Sequence, residues 1–364
     1  MESRLNRLLQ IIRNRGLDSI FITSKANIYY FTNFLTNPHE RLIALYADQT
    51  GPVLIVPELE KEDALQAGWK GDLLTYDDQT DPWNKFKAYL HSSGKSPYSM
   101  GIEKNQLTVD RKEMIESIMP DCVLEDAQTI LNELRLLKDK KEFNLLKQAA
   151  VLADYGVKTG IEGIQEGKTE LELLAEIEYA LKREGVREMS FSTLVLTGAN
   201  TASPHGTPGG RKIEPGDFVL FDLGVVYEGY CSDITRTVAY KKISDVQKEI
   251  YHTVLTAQKE AINTVSLGVP VGKIDQAARK MIDDAGYGSY FTHRIGHGLG
   301  IDVHEFPSMH GKNPLPIQEG MCFTIEPGIY VPDAGGVRIE DEIFVTKKGA
   351  EILTSYPKEL QIIE

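Results

Sequence analysis

The chain has 364 residues, 41% of them apolar and 26% charged, with a formal net charge of −13. That length exceeds what one hydrophobic core usually serves, so two domains are expected, in a composition ordinary for a soluble globular protein. The negative balance, without a local Lys/Arg stripe, argues against nucleic acid, and no apolar window reaches the length of a membrane span.

The opening stretch MESRLNRLLQIIRNRG reads as an amphipathic helix with Leu5, Leu8, Leu9 and Ile12 on one face, and charges interrupt it where a signal peptide needs an apolar run. A strand at SIFIT follows, then a hairpin from LIALYAD through Gln49, Thr50 and Gly51 into PVLIVPE, strand SMGIEK and helix DRKEMIESIM. This is a small α/β domain. It has no Gly-rich phosphate loop and no concentration of His, Asp and Cys, so it reads as a substrate-limiting or oligomerising module. Near Gln128 the pattern changes to long helices, beginning with ILNELRLLKDKKEFNLLKQAAVLADYGVKTG, which places the domains at 1–127 and 128–364. Cys122, Cys231 and Cys322 are odd in number and far apart, as expected of reduced thiols packed in a cytoplasmic protein.

The second part repeats itself. IEPGDFVLFDLG (Ile213 to Gly224) aligns without gaps on IQEGMCFTIEPG (Ile317 to Gly328), placing Asp222 on Glu326. An amphipathic helix precedes each copy, GKTELELLAEIEYALKREG and VGKIDQAARKMIDDAG, and a second strand with another acid follows each. Two related halves, each with a hairpin carrying two carboxylates, are expected to face one another.

In the first hairpin a turn at Glu228 and Gly229 pairs Tyr227 with Tyr230, sets Asp222 opposite Thr235 and puts Asp233 diagonal to Asp222 on the same face. In the second, a loop centred on Asp333 sets Glu326 opposite Glu340. His297 sits between Gly296 and Gly298, which permits close backbone approach around its imidazole. Singly, a strand acid is usually exposed or paired with Arg, and a lone His is usually structural. Jointly, four carboxylates and one imidazole on one face are a ligand set for two hard divalent cations ~3.5–4 Å apart, since burying the acids without metal costs several kcal/mol apiece. Oxygen-rich ligation favours manganese, cobalt or iron(II), and zinc also fits. Thr235 across from Asp222, and Arg338 two residues before Glu340, are placed to support the ligands. His205, His293 and His304 are surplus imidazoles near the same place, while His39, His91, His252 and His310 lack such company.

FDLG with Asp222, CSDITRT with Asp233, GHGLG with His297, TIEPG with Glu326 and IEDE with Glu340 together resemble the pita-bread metallopeptidases of M24 type, over the whole chain. That family includes Xaa-Pro dipeptidases (prolidases), aminopeptidases P and methionine aminopeptidases. The resemblance implies an α+β protein whose creatinase-type N-terminal α/β domain precedes a pita-bread catalytic domain of pseudo-twofold halves. It implies attack of a metal-bridging hydroxide on the scissile carbonyl, with Glu326 as proton shuttle. It gives His205 and His304 roles in binding the carbonyl and the tetrahedral intermediate, sets His293 and Tyr330 along the pocket, and has Arg338 orienting the ligands. It also implies two metal ions per subunit, manganese or cobalt first, and a homodimer acting on small peptides with proline in second position.

The N-terminal domain disfavours methionine aminopeptidase, and overall length favours the Xaa-Pro dipeptidase over aminopeptidase P. One departure cuts the other way: where some dipeptidases carry Arg after the HE-aromatic-Pro run, HEFPS has Ser308. Carboxylate recognition then falls to Arg338, His293 or a loop such as NPHER (Asn37 to Arg41) of a dimer partner. Metal-free creatinase-like hydrolases and non-catalytic modules of this fold should lose ligand carboxylates, and none is lost here. A serine hydrolase lacks its G-x-S-x-G, and a zincin its H-E-x-x-H.

Overall fold

The computed structural model describes residues 2–364 and divides the chain into two compact units, Met1–Arg135 and Leu136–Glu364. The first runs α1 (Glu2–Asn14), β1 (Ser19–Ile22), α2 (Lys25–Thr32), β2 (Ala44–Asp48), β3 (Gly51–Pro57), α3 (Lys61–Gln66), β4 (Asp72–Tyr76), α4 (Pro82–Ser92), β5 (Ser99–Ile102), α5 (Val109–Ile118), β6 (Val123–Asp126) and α6 (Gln128–Leu136). Among the described residues its strands form one sheet in the order β4-β3-β2-β1-β5-β6. The central strands β1 and β2 pair on both sides and are buried throughout. Leu8 and Ile12, on the apolar face read for α1, are fully buried. In the β2–β3 hairpin Asp48 faces Gly51, and Asp48 Oδ1 accepts the Thr50 N–H at 2.8 Å, which sets the turn. Strands β4 and β6, with helices α2 to α4, were not anticipated. Both strands pair on one side only, β4 half-buried over most of its length and β6 largely exposed, so neither carries the apolar alternation that marks a strand.

The run expected as continuing helix breaks after α6. Asp139 accepts the Glu142 N–H at 2.9 Å, and the Glu142 carboxylate accepts the Asp139 N–H at 2.8 Å, a capping box that starts a new helix. That helix is α7 (Lys140–Glu162), followed by α8 (Glu170–Arg183), β7 (Glu188–Met189), β8 (Leu194–Thr197), β9 (Phe218–Leu223), β10 (Val225–Tyr227), β11 (Tyr230–Cys231), β12 (Ile234–Tyr240), α9 (Asp245–Asn263) and α10 (Gly272–Asp284). The chain ends through β13 (Gly296–Gly298), β14 (Glu305–Met309), β15 (Cys322–Ile325), β16 (Gly328–Val331), β17 (Gly335–Arg338), β18 (Asp341–Thr346), β19 (Gly349–Ile352) and β20 (Ile362–Ile363).

The repeat seen in the sequence is a repeat of backbone bonds. The Gly167 N–H donates to the Ile213 carbonyl and the Ile213 N–H to the Lys168 carbonyl; in the other copy Gly268 and Ile317 do the same with Ile317 and Val269, all at 2.9 Å. Gly216 and Gly320, aligned in sequence, both take positive φ, 101° and 90°. Helices α7 and α8 cover the sheet β20-β12-β9-β8 through Ala153, Val157, Leu173 and Ile177 against Phe221 and Val238. Helices α9 and α10 cover the sheet β14-β13-β15-β18-β19 through Val254, Ala257, Ile274 and Ala278. The sheets join where the Glu340 N–H donates to the Thr235 carbonyl at 3.1 Å and the Arg338 N–H to Thr237 Oγ1 at 3.3 Å.

Candidate metal centre

Glu228 and Gly229 both take positive φ, 45° and 78°, so the first hairpin turns where expected, with Tyr227 opposite Tyr230 and Asp222 opposite Thr235. In the second, Gly328 faces Arg338 and Ile325 faces Asp341, a register that sets Glu326 opposite Glu340. The glycines around His297 are obligatory: a Cβ on Gly296 would lie 2.1 Å from the Thr324 carbonyl oxygen, and one on Gly298 2.4 Å from that of Phe306.

His297 is nine-tenths buried or more, and burial, then the neighbouring His304, pushes its pKa down to about 3. It is therefore neutral, and Nδ1 lies 3.2 Å from the Gly298 carbonyl, which assigns the proton there and leaves Nε2 as a bare lone pair. That lone pair faces Asp233 Oδ2 at 3.5 Å and Glu326 Oε1 at 3.4 Å. Ligand atoms of Asp233, His297 and Glu340 lie within 4.8 Å of one another. Asp222 Oδ1 and Glu340 Oε1 are buried with no hydrogen-bond partner. Burial first, then the mutual repulsion of the acids, holds Asp233 and Glu340 well above the usual carboxylate range; burial raises Glu326 to about 7. Orphaned carboxylate oxygens around a bare imidazole nitrogen are donors that fit divalent cations and little else.

The remaining oxygens are held in place. Arg338 Nη2 donates to Asp222 Oδ2 at 2.5 Å, Nε to Thr235 Oγ1 at 3.1 Å, and Nη1 to the Tyr330 hydroxyl at 2.9 Å and the Pro204 carbonyl at 3.3 Å. Thr235 Oγ1 donates to Glu340 Oε2 at 2.7 Å. His293 Nδ1 lies 2.8 Å from the Arg294 carbonyl and Nε2 2.9 Å from the Tyr330 hydroxyl; burial lowers its pKa to about 4, so it is a neutral acceptor for Tyr330. Tyr330, which the resemblance sets along the pocket, is buried with its hydroxyl between Arg338 Nη1 and His293 Nε2, two residues that line the cleft.

The four acids Asp222, Asp233, Glu326 and Glu340 and the imidazole of His297 open together on one cleft of about 610 Å³, which His293 and Arg338 also line. His205 and His304 stand on its walls, with the His304 ring 4.2 Å from that of His297. Sequence reading missed Phe191, Leu194 and Arg294 on the walls, and Glu342, whose Oε1 accepts the Asp233 N–H at 2.8 Å. Arg294 stood inside HRIGHG, where only the histidines drew notice. Phe191 and Leu194 carry no motif at all.

Residues 144–347 match the model of metallopeptidase family M24, and residues 4–137 that of the creatinase/prolidase N-terminal domain. The chain is 48% identical to YkvY of Bacillus subtilis (strain 168) over 362 residues, 99% of this chain and 100% of that one. It is 41% identical to the Xaa-Pro dipeptidase of Lactobacillus delbrueckii subsp. lactis, over 99% of this chain and 98% of the relative. The structure of an Xaa-Pro dipeptidase from Bacillus anthracis superposes with a TM-score of 0.93 at 32% identity, covering 100% of this chain and 99% of that one. With its two-unit architecture and its cluster of orphaned acids, the chain belongs to metallopeptidase family M24 and is a metal-dependent peptidase.

Proposed function

We propose that the protein is an Xaa-Pro dipeptidase that cleaves the bond on the N-terminal side of proline, with two divalent ions, manganese or cobalt first, held by Asp222, Asp233, His297, Glu326 and Glu340. The observation that carries this reading is the cluster of four acids in one cleft, with the buried oxygens Asp222 Oδ1 and Glu340 Oε1 lacking partners, in a chain similar along its length to an Xaa-Pro dipeptidase. Cations bound there would polarise the scissile carbonyl and make water a nucleophile near neutral pH.

The chain's own residues supply the rest. Glu326, raised to about 7 by burial, takes the proton from the attacking water and returns it to the departing proline nitrogen. His304, kept neutral by burial, donates an N–H to the carbonyl oxygen as it becomes tetrahedral, and His205 closes on the same oxygen from the other wall. Arg338 and Thr235 keep Asp222 and Glu340 aimed while the charge on the substrate changes. Phe191 and Leu194 offer the proline ring an apolar wall. A homodimer in the cytoplasm completes the reading, supported by the family resemblance and by three free cysteines among the described residues; a monomer in light scattering would contradict the first part.

The test is to strip the metal, restore manganese or cobalt, and compare Met-Pro, Met-Pro-Gly and Met-Ala-Gly. Metal-dependent cleavage of Met-Pro alone is expected; cleavage of Met-Pro-Gly with little on Met-Pro would make the protein an aminopeptidase P. Glu326→Gln should cut kcat by about 100-fold or more, and full turnover with full metal content would remove Glu326 as the proton carrier.

A further inference from the structure

The cleft wall that carries His205 is a loop, and a carboxylate outside the cleft ties its two ends together. Between β8 and β9 the chain leaves Thr197, makes a short 3₁₀ turn over Gly198–Ala202 and runs through Pro204, His205, Gly206, Thr207 and Pro208 along the cleft before returning at Gly209. Residues 203–209 belong to no helix or strand, and His205 and Thr207 are exposed, so the segment's own backbone does little to fix the imidazole.

Glu170, at the start of α8, is fully buried and does not line the cleft. Its Oε1 accepts the Thr197 N–H at 2.7 Å, the Thr197 hydroxyl at 3.2 Å and Asn200 Nδ2 at 2.9 Å, while its Oε2 accepts the Gly209 N–H at 2.8 Å. One oxygen thus holds the departing end of the loop and the other the returning end. The helix does not need this acid as a cap, because Thr169 and Glu172 already form the capping box of α8. A buried carboxylate is costly unless donors meet it, and here every donor comes from the loop and its root.

Further ties hold the loop between its ends. Thr201 Oγ1 accepts the Gly336 N–H at 2.7 Å and donates to the Gly198 carbonyl at 2.6 Å. The Pro204 carbonyl accepts Arg338 Nη1 at 3.3 Å, from the same guanidinium that grips Asp222. Arg211, paired with Asp217 at 2.6 Å, donates to Thr197 Oγ1 at 2.7 Å. Gly198 takes a positive φ of 50° directly against that arginine, where a Cβ would lie 2.2 Å from Nη2. We propose that Glu170 is a positioning residue: by closing both ends of the loop it holds His205 where the carbonyl oxygen becomes tetrahedral, an inference that rests on the role of His205 in the Xaa-Pro dipeptidase reading above. The imidazole is then placed before the substrate arrives and needs no rearrangement as charge develops.

The test measures Glu170→Gln, Asn200→Ala and His205→Ala, and each of the first two combined with His205→Ala, on Met-Pro with metal restored, with hydrogen exchange of residues 198–209 as a readout independent of turnover. In Glu170→Gln the amide oxygen can still meet Thr197 and Asn200, but its NH2 then faces the Gly209 N–H, donor against donor, and the returning end opens. This should lower kcat about tenfold with KM moving less than threefold and metal content unchanged, and should speed exchange across residues 203–209 about tenfold while β9 keeps its protection. Asn200→Ala removes one side-chain donor and should cost about threefold, which keeps the inference open to test if Glu170→Gln does not fold. In the His205→Ala background each change should cost less than about twofold, because the group it positions is gone. The full losses repeated in that background, or loop exchange left unchanged, would overturn the inference while leaving the dipeptidase reading standing. A wild type inactive on both Met-Pro and Met-Pro-Gly removes the reading and the inference together.

Discussion

The two hairpins of the second unit share a backbone and a register yet hold their acids differently. Gly224 and Gly328 are equivalent, and the residue facing each is Asp233 in the first half and Arg338 in the second. Asp222 and Glu326 are likewise equivalent, but the residues facing them are Thr235 and Glu340. The second-strand acids, expected diagonal to Asp222 in the first hairpin and directly opposite Glu326 in the second, are therefore offset by two residues, and the offset is what connects the halves. Arg338 of the second half grips Asp222 of the first, Thr235 of the first grips Glu340 of the second, and Glu342 of the second accepts the Asp233 N–H. Only Glu326 is held at home, by Thr324 Oγ1 at 3.3 Å. Repetition supplied the scaffold, and departures from it made a site that neither half completes alone.

Removing an acid should have the largest effect. Glu340→Gln should cost about 1000-fold in kcat/KM with loss of bound metal, read by activity and elemental analysis. The same change should raise the melting temperature of the metal-free protein, because an amide replaces a carboxyl that burial and its neighbours already disfavour in charged form. A metal-free variant that melts below metal-free wild type would show that the acids are not strained without cations.

Breaking a crossed tie comes next. Arg338→Met should lower kcat/KM about 100-fold, and Arg338→Lys should rescue little, since one ammonium cannot serve Asp222, Thr235, Tyr330 and Pro204 together. Thr235→Val, which removes the donor to Glu340 in the opposite direction, should cost about tenfold in metal affinity and about 1 kcal/mol of stability, with Thr235→Ser close to wild type. If Thr235→Val matched Arg338→Met in size, the two crossings would be equivalent, contrary to their unequal numbers of bonds.

The smallest effect is in pH. Glu326 rises from 4.5 to about 7 on folding, so its contribution is fully present below the unfolded value and is lost as pH rises through the folded one. Asp233 and Glu340 shift in the same direction. Metal-free protein should accordingly lose a few degrees of melting temperature between about pH 4.5 and 7, and restored metal should flatten or reverse that slope. A metal-free melting temperature that rises across the window would contradict the buried state of the acids.

Much of the site was legible because its parts are local. A Glu-Gly turn and a loop centred on Asp333 set two hairpin registers, and register decides which acids share a face. Edge strands β4 and β6 were not legible because solvent on one side removes the apolar alternation that reveals a strand. The break between α6 and α7 was written in the four residues from Asp139 to Glu142, of ordinary helix composition, where the capping bonds between Asp139 and Glu142 override the surrounding periodicity. Arg294 and Glu342 sat in plain view beside recognised motifs, but a charged side chain announces neither its partner nor the lack of one.

By itself, then, the sequence determined the two-unit plan, the duplicated hairpins, the registers and the identity of the acids, all of which follow from periodicity, turn chemistry and short-range pairing. The tertiary structure alone decided which half supports which acid and which carboxylate oxygens are left without partners. Those outcomes depend on burial and on contacts between residues more than a hundred positions apart, as with Arg338 and Asp222, and no local pattern encodes them.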